Sequence, residues 1–182
     1  MAQSSSPSLE PAFLARLYPA PDFKIGSTSN GEILNVVPIS SGTVISEPGF
    51  GIPLDAEIAF GSDYVRINPS QSHARIHVNA ILKNKDGTLV TYSYRGVIKM
   101  DAAFLAILSG SPDAKTTTFG NAVSHVTFQA GLGPLKELED NLFVGSARFV
   151  VEDKGFFIET KQCLRYTEPF EAQDGPVAAS KE

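Results

Sequence analysis

The chain has 182 residues, enough for one domain with a full hydrophobic core, and 42% of them are hydrophobic. Fifteen glycines and twelve prolines, slightly above average usage, exclude collagen-like and low-complexity chains and predict many turns. Twenty acidic against fifteen basic residues give a net charge of −5, with the basic residues scattered singly, which speaks against nucleic acid as the main partner.

Residues 1–8 are Ser-rich and lack the apolar run of a secretory signal. They read as a loose N-terminal tail ahead of one domain spanning 9–170. Residues 32–46 read as a strand bent at Pro38 or Gly42. Over 54–67, period two puts Leu54, Ala56, Ile58, Phe60, Ser62 and Tyr64 on one face. Asp55, Glu57, Ala59, Gly61 and Asp63 fall on the other, with Asp63 expected at the surface. Residues 72–83 alternate more cleanly: Ala74, Ile76, Val78, Ala80 and Leu82 form one row, and His73, Arg75, His77 and Asn79 the other. Lys85-Asp86-Gly87 is a hairpin turn, after which 88–100 returns antiparallel. Val90, Tyr92, Tyr94 and Ile98 share one face of that strand; Thr91, Ser93, Arg95 and Lys99 share the other.

Asp101 is a good N-cap for an apolar helix over 102–108, which Gly110 and Pro112 stop. Strands resume at 122–130, Gly133-Pro134 opens a turn or two of helix to Asp140, and 141–151 and 155–167 form a last pair. Residues 171–182 have no periodicity and read as a second loose tail. No stretch approaches the ~18 apolar residues of a membrane helix, and Asn68-Pro69-Ser70 is blocked as a glycosylation site by its proline. The expectation is a soluble, cytoplasmic chain with no membrane partner, and the sequence leaves a homodimer open.

Seven to nine hairpin-connected strands with one or two short helices form no βαβ units. They predict a mainly β fold: an antiparallel, closed or nearly closed barrel of about eight strands, with room for one small ligand.

The signatures of zinc, phosphate-loop, dinucleotide and nucleophile-elbow chemistry are missing from the sequence, so neither cofactor nor metal is expected. The single Cys163 excludes an intrachain disulfide and reads as a small strand residue. His73 and His77 lie four residues apart on a strand, about 13 Å, too far to share one ion. Pairing of either with His125 across the sheet is the remaining metal geometry. The row His73, Arg75, His77, Asn79 is either a solvated outer face or a polar wall of the lumen where histidine works as acid or base. Tyr64, Tyr92 and Tyr94 are core aromatics or a pocket wall whose hydroxyls orient a ligand. Arg95 faces away from Tyr92 and Tyr94, and would join them in one cavity only through a bulge at Gly96. Arg148 is expected at the surface.

Several short segments in fixed order carry a family resemblance over residues 9–167. They are Leu9-Glu10-Pro11-Ala12-Phe13, Val37-Pro38-Ile39-Ser40-Ser41-Gly42-Thr43, Ala59-Phe60-Gly61-Ser62-Asp63-Tyr64, Asp86-Gly87, Thr118-Phe119 and Asn141-Leu142-Phe143-Val144-Gly145. In these the chain resembles the domain of unknown function family 3237, small calycin-like barrels. It departs from that pattern at His77 and Asn79, where the family has Asp and Arg, at Gly120 for Arg, and in lacking a Trp before the Leu142 segment. The resemblance implies a retained barrel with a rebuilt pocket. Fungal members are associated with specialised-metabolite pathways, some resembling a chalcone-isomerase type of cyclase. It therefore implies a cofactor-free isomerase or cyclase acting on a small aromatic, polyketide-like or chalcone-like ligand by oxa-Michael ring closure.

In that reading His77 or His73 is the base, with Tyr64 as a further catalytic group. Arg75, Asn79, Tyr94, Arg95 and His125 bind polar parts of the substrate, and Phe50, Phe60 and Phe128 hold its rings. A non-catalytic barrel carrying a hydrophobic small molecule, and a protein-interaction module, are the alternatives.

Overall fold

The computed structural model describes residues 8–166. In chain order the strands are β1 (Ser8–Pro19), β2 (Phe23–Ser27), β3 (Ile33–Ser46), β4 (Asp55–Ile67), β5 (His73–Asn84) and β6 (Leu89–Lys99). The helix α1 (Ala102–Leu108) follows, then β7 (Ala122–Ala130), β8 (Phe143–Glu152) and β9 (Gly155–Tyr166). All pairings are antiparallel, in the order β1-β9-β8-β7-β6-β5-β4-β3-β2. β1 also pairs with the second half of β3, from Phe13 opposite Ser46 to Leu17 opposite Gly42. Eight strands thereby close into a barrel, and β2 lies on the first half of β3 outside the ring. Closure gives each ring strand a hydrogen-bonded neighbour on both sides and removes the long exposed edges that an open sheet would leave.

This is the expected barrel, with two strands that the period-two reading did not find. β1 buries both Ala12 and Phe13, because a bulge between Pro11 and Phe13 breaks its alternation. β2 is only five residues long and mostly exposed, too short for the alternation of Phe23, Lys24 and Ile25 to stand out as a strand. Of the two expected tails, 1–8 and 171–182, only Ser8 falls within the described residues, where it opens β1. α1 forms as its caps dictate, the Asp101 side chain accepting from the Phe104 N–H at 3.0 Å and Gly110 taking φ +65° just past its end. No helix among the described residues is long and apolar enough to cross a membrane.

The inside of the barrel has two unlike halves. One is filled: Phe13 packs against Phe50, Phe128 and Phe143 with ring centroids 5.0, 5.5 and 5.2 Å away. Tyr92, Leu82, Val90, Leu135 and Leu138 complete this dry core. In the other half the inward rows read Ile76–Gly96–Ser124–Gly145 and Ala74–Ile98–Ala122–Ala147 across β5 to β8. Residues this small cannot meet across the barrel, so the lumen stays open there. Gly96 is required as glycine, since a Cβ on it would sit 2.4 Å from the Val123 carbonyl oxygen. α1 packs Phe104 and Ile107 against Phe149 at this end.

Candidate functional site

The open half of the lumen is a cavity of about 680 Å³, within the range of small-molecule sites. Its walls are apolar: Val37, Ile39, Val65, Ile67, Ile76, Ile98, Phe149 and Ile158 contribute. Its rim is built by the end of β1, the β1–β2 connection and the start of β2 (Pro19, Asp22, Lys24), by Phe104 and Leu108 of α1, and by Lys154 and Phe156 of the β8–β9 hairpin. Asp63, Tyr94, Ser124, Thr160 and Asn35 set polar groups into that wall.

Asp63 reaches the lumen through a bulge. Ile58 pairs with Leu82 but Phe60 with Ile81, so Ala59 is an extra residue that inverts the facing of the rest of β4. Beyond it Gly61, Asp63, Val65 and Ile67 turn inward. This corrects the expectation that Asp63 is a surface residue and that Tyr64 shares the inner face with Ile58. Asp63 stands level with Val78 of β5 and Tyr94 of β6. Its Cα is two strand spacings from that of Tyr94, about 10 Å, with only the small Val78 between two side chains that both point inward. The β4–β5 ladder lacks the pairs Tyr64–His77 and Val65–Ile76. There the Asp63 Oδ1 accepts from the His77 backbone N–H at 3.0 Å. That bond fixes one oxygen to the wall.

Burial among the apolar walls raises the Asp63 pKa to about 7, only partly offset by the His77 N–H. Tyr94 is pushed well above the ordinary phenol value, first by burial and then by the neighbouring Tyr92 and Asp63, so it remains a neutral hydrogen-bond donor. Tyr92, beneath it with ring centroids 5.4 Å apart, is also raised by burial and is hydrogen-bonded by the Gln162 amide. The site is therefore one carboxyl that titrates near neutrality facing a protonated phenol in an apolar chamber.

The other residues expected at the site lie elsewhere. His73, Arg75, His77 and Asn79 are on the outer face of β5, because the apolar row Ala74, Ile76, Val78, Ala80, Leu82 takes the lumen. The burial of that row decides between the two readings. Arg95 and His125, opposite each other on β6 and β7, also face out. The β5–β6 ladder runs through Gly96 with Ile76 as its partner, so no bulge brings Arg95 inward. The bulge in β4 leaves Tyr64 and Phe60 on the outside, 39% and 69% exposed. Phe50 and Phe128 pack in the filled half of the barrel, against Phe13. Of the residues named for catalysis or substrate binding, Tyr94 alone lines the cavity.

Arg148 lies on the outer face of β8, where it and Arg16 of β1 clamp the buried Glu159 of β9. Asp63 is the residue the sequence reading missed. Its signal is a change of phase, for the apolar residues of this segment sit at even positions through Ile58 and at odd ones from Val65.

Fold and site together define a closed eight-stranded antiparallel β-barrel with a half-empty lumen and an ionisable group in its wall. The chain belongs to the DUF3237 family, proteins of unknown function, whose pattern it matches over residues 7–163. No curated protein matches it in sequence. A conserved protein of unknown function from Rhodopseudomonas palustris has a similar structure, with TM-score 0.71 at 16% identity over 90% of this chain and 100% of that one. A β-barrel-like protein from Acinetobacter baumannii superposes with TM-score 0.68 at 20% identity over 91% of this chain and 100% of its own. An enzyme from Penicillium herquei gives TM-score 0.59 at 15% identity, covering 90% and 98%. At these identities the likeness is one of fold.

Proposed function

We propose that the protein is a cofactor-free isomerase or cyclase that closes a ring in an aromatic, chalcone-like or polyketide-like substrate inside the barrel, with Asp63 as acid and base and Tyr94 as donor. The observation that carries this reading is the Asp63 carboxyl, held in an apolar cavity with its pKa raised to about 7, a value suited to proton transfer at neutral pH. The resemblance in fold to an enzyme is in keeping with it.

The chemistry needs no co-reactant. Ionised Asp63 takes the phenolic proton of the substrate, the phenoxide oxygen attacks the β-carbon of an enone, and a C–O bond forms as the C=C electrons move to the carbonyl oxygen. Tyr94 O–H donates to that developing enolate oxygen. The proton held by Asp63 then returns to the α-carbon, so the product is an isomer of the substrate. The apolar walls favour a flat aromatic ligand and hold its reactive conformer.

The test is an absorbance time course with 2′-hydroxychalcone beside heat-killed protein. Loss of the long-wavelength enone band with one flavanone enantiomer formed is the expected result. Asp63→Asn should keep ligand binding, read by quenching of tyrosine fluorescence, and lose about 10²–10⁴-fold in turnover. Since the base must be ionised, turnover of the unmodified protein should rise with pH through about 7. Quenching without turnover in the unmodified protein would make it a carrier of the same ligands, and the absence of both quenching and turnover would overturn the reading.

A further inference from the structure

The outer wall of the barrel opposite the Asp63 row carries a basic cluster that the lumenal chemistry does not use. Arg66 of β4 pairs across the ladder with Arg75 of β5, and His77, two residues on, pairs with Arg95 of β6. Like charges facing each other across strands destabilise a sheet, and the chain as a whole is acidic at −5. None of these three arginines has a carboxylate partner among the described residues, whose ion pairs are made by Arg16, Lys85, Lys136 and Arg148. Asp63, three residues before Arg66 on β4, points to the other side of the wall.

Between the arginines is an open depression of about 620 Å³ lined by Arg66, Arg75, Ile76, His77, Arg95 and Val97. Its polar edge is ordered. The Ser93 hydroxyl donates to Asn79 Oδ1 at 2.9 Å, so the Asn79 amide nitrogen is the donor to His77 Nε2 at 3.3 Å. That tautomer leaves the His77 Nδ1–H as a further donor.

We propose that this depression is a binding site for a small phosphoryl-bearing ligand, a diphosphate or phosphate ester, gripped by Arg66, Arg75 and Arg95. Three guanidinium forks around one hollow match a multivalent oxyanion with bidentate contacts, where a single carboxylate would neutralise only one of them. A nucleic acid is disfavoured by the size of the cluster. From β4 to β6 it spans two strand spacings, about 10 Å, on a protein whose net charge repels an extended polyanion.

Titration calorimetry with inorganic pyrophosphate at fixed ionic strength tests this, with citrate as the carboxylate comparison. The unmodified protein is expected to bind one pyrophosphate, and citrate at least tenfold more weakly. Arg75→Gln with Arg95→Gln should weaken pyrophosphate at least tenfold, while Lys83→Gln, on the same strand face but outside the hollow, leaves it unchanged. Without ligand the double variant should melt no lower than the unmodified protein, because facing like charges are removed, which separates loss of binding from loss of fold. No binding at millimolar pyrophosphate, equal weakening by Lys83→Gln, or citrate binding as tightly as pyrophosphate would each overturn the assignment.

Discussion

Asp63 trades stability for reactivity. Its carboxyl moves from 3.8 to about 7 because the apolar lumen disfavours the charge. The folded protein therefore holds a proton that the unfolded chain has released between those two values. The stability that goes with the neutral carboxyl is fully present below about pH 4 and is lost as pH rises to about 7. Asp63→Asn keeps the acceptor oxygen for the His77 N–H and cannot ionise. Its unfolding free energy should match that of the unmodified protein near pH 4 and exceed it near pH 8, by on the order of a few kcal/mol at about 1.4 kcal/mol per pKa unit. Urea unfolding at the two pH values measures this. A variant less stable than the unmodified protein at pH 8 would mean the ionised carboxylate is well solvated in the lumen, and would remove the reason for its reactivity.

Elements hold the site through two devices, a bulge and a clamp. Glu159 of β9 is 5% exposed and accepts from Arg16 of β1 at 2.9 Å and from Arg148 of β8 at 2.9 and 2.6 Å, tying β8, β9 and β1 together. Burial alone would raise its pKa, but the two guanidiniums outweigh it and hold the carboxyl below its ordinary value. Its stabilisation is thus present above the ordinary carboxylate range and lost as pH falls through the lowered pKa. Glu159→Gln should lower stability at neutral pH by about 2–3 kcal/mol, the worth of charged hydrogen bonds, and by much less in acid; thermal melts at pH 7 and pH 3 decide it. Strands β3 to β9, their hairpins and α1 were legible in the sequence because period two and capping are local. β1 was not, since its bulge buries consecutive residues. The site was legible at Tyr94, which lies on a strand with unbroken alternation. It was misread at Asp63 and Tyr64, because the one extra residue at Ala59 exchanges the faces of everything after it. His77 was misread for a different reason: a clean alternation defines two faces without saying which is inner, and only the packing of neighbouring strands settles that.

On the scale of the whole barrel, function rests on uneven filling. A barrel of eight strands is just wide enough for side chains to fill, and in one half aromatic residues do so. In the other half Ala74, Ala122 and Ala147 are each under 7% exposed and face the cavity of about 680 Å³. Small side chains there forgo the packing that a full core would supply, a pattern expected where space is kept for a ligand. Filling that space should then separate folding from function. In Ala122→Phe the added ring enters a void rather than a packed core, so the overpacking cost of a core insertion does not arise, and the melting temperature should stay within a few degrees or rise. Ligand quenching and any turnover of 2′-hydroxychalcone should fall at least tenfold. If the variant folds and still turns over at the original rate, the chemistry does not take place in the lumen, and Asp63 loses its role however well its pKa suits it. If it instead melts far below the unmodified protein, the cavity is narrower at β7 than its lining indicates. Ala147→Leu, on the neighbouring strand β8 and smaller by a ring, then becomes the variant that decides whether closing the lumen abolishes binding.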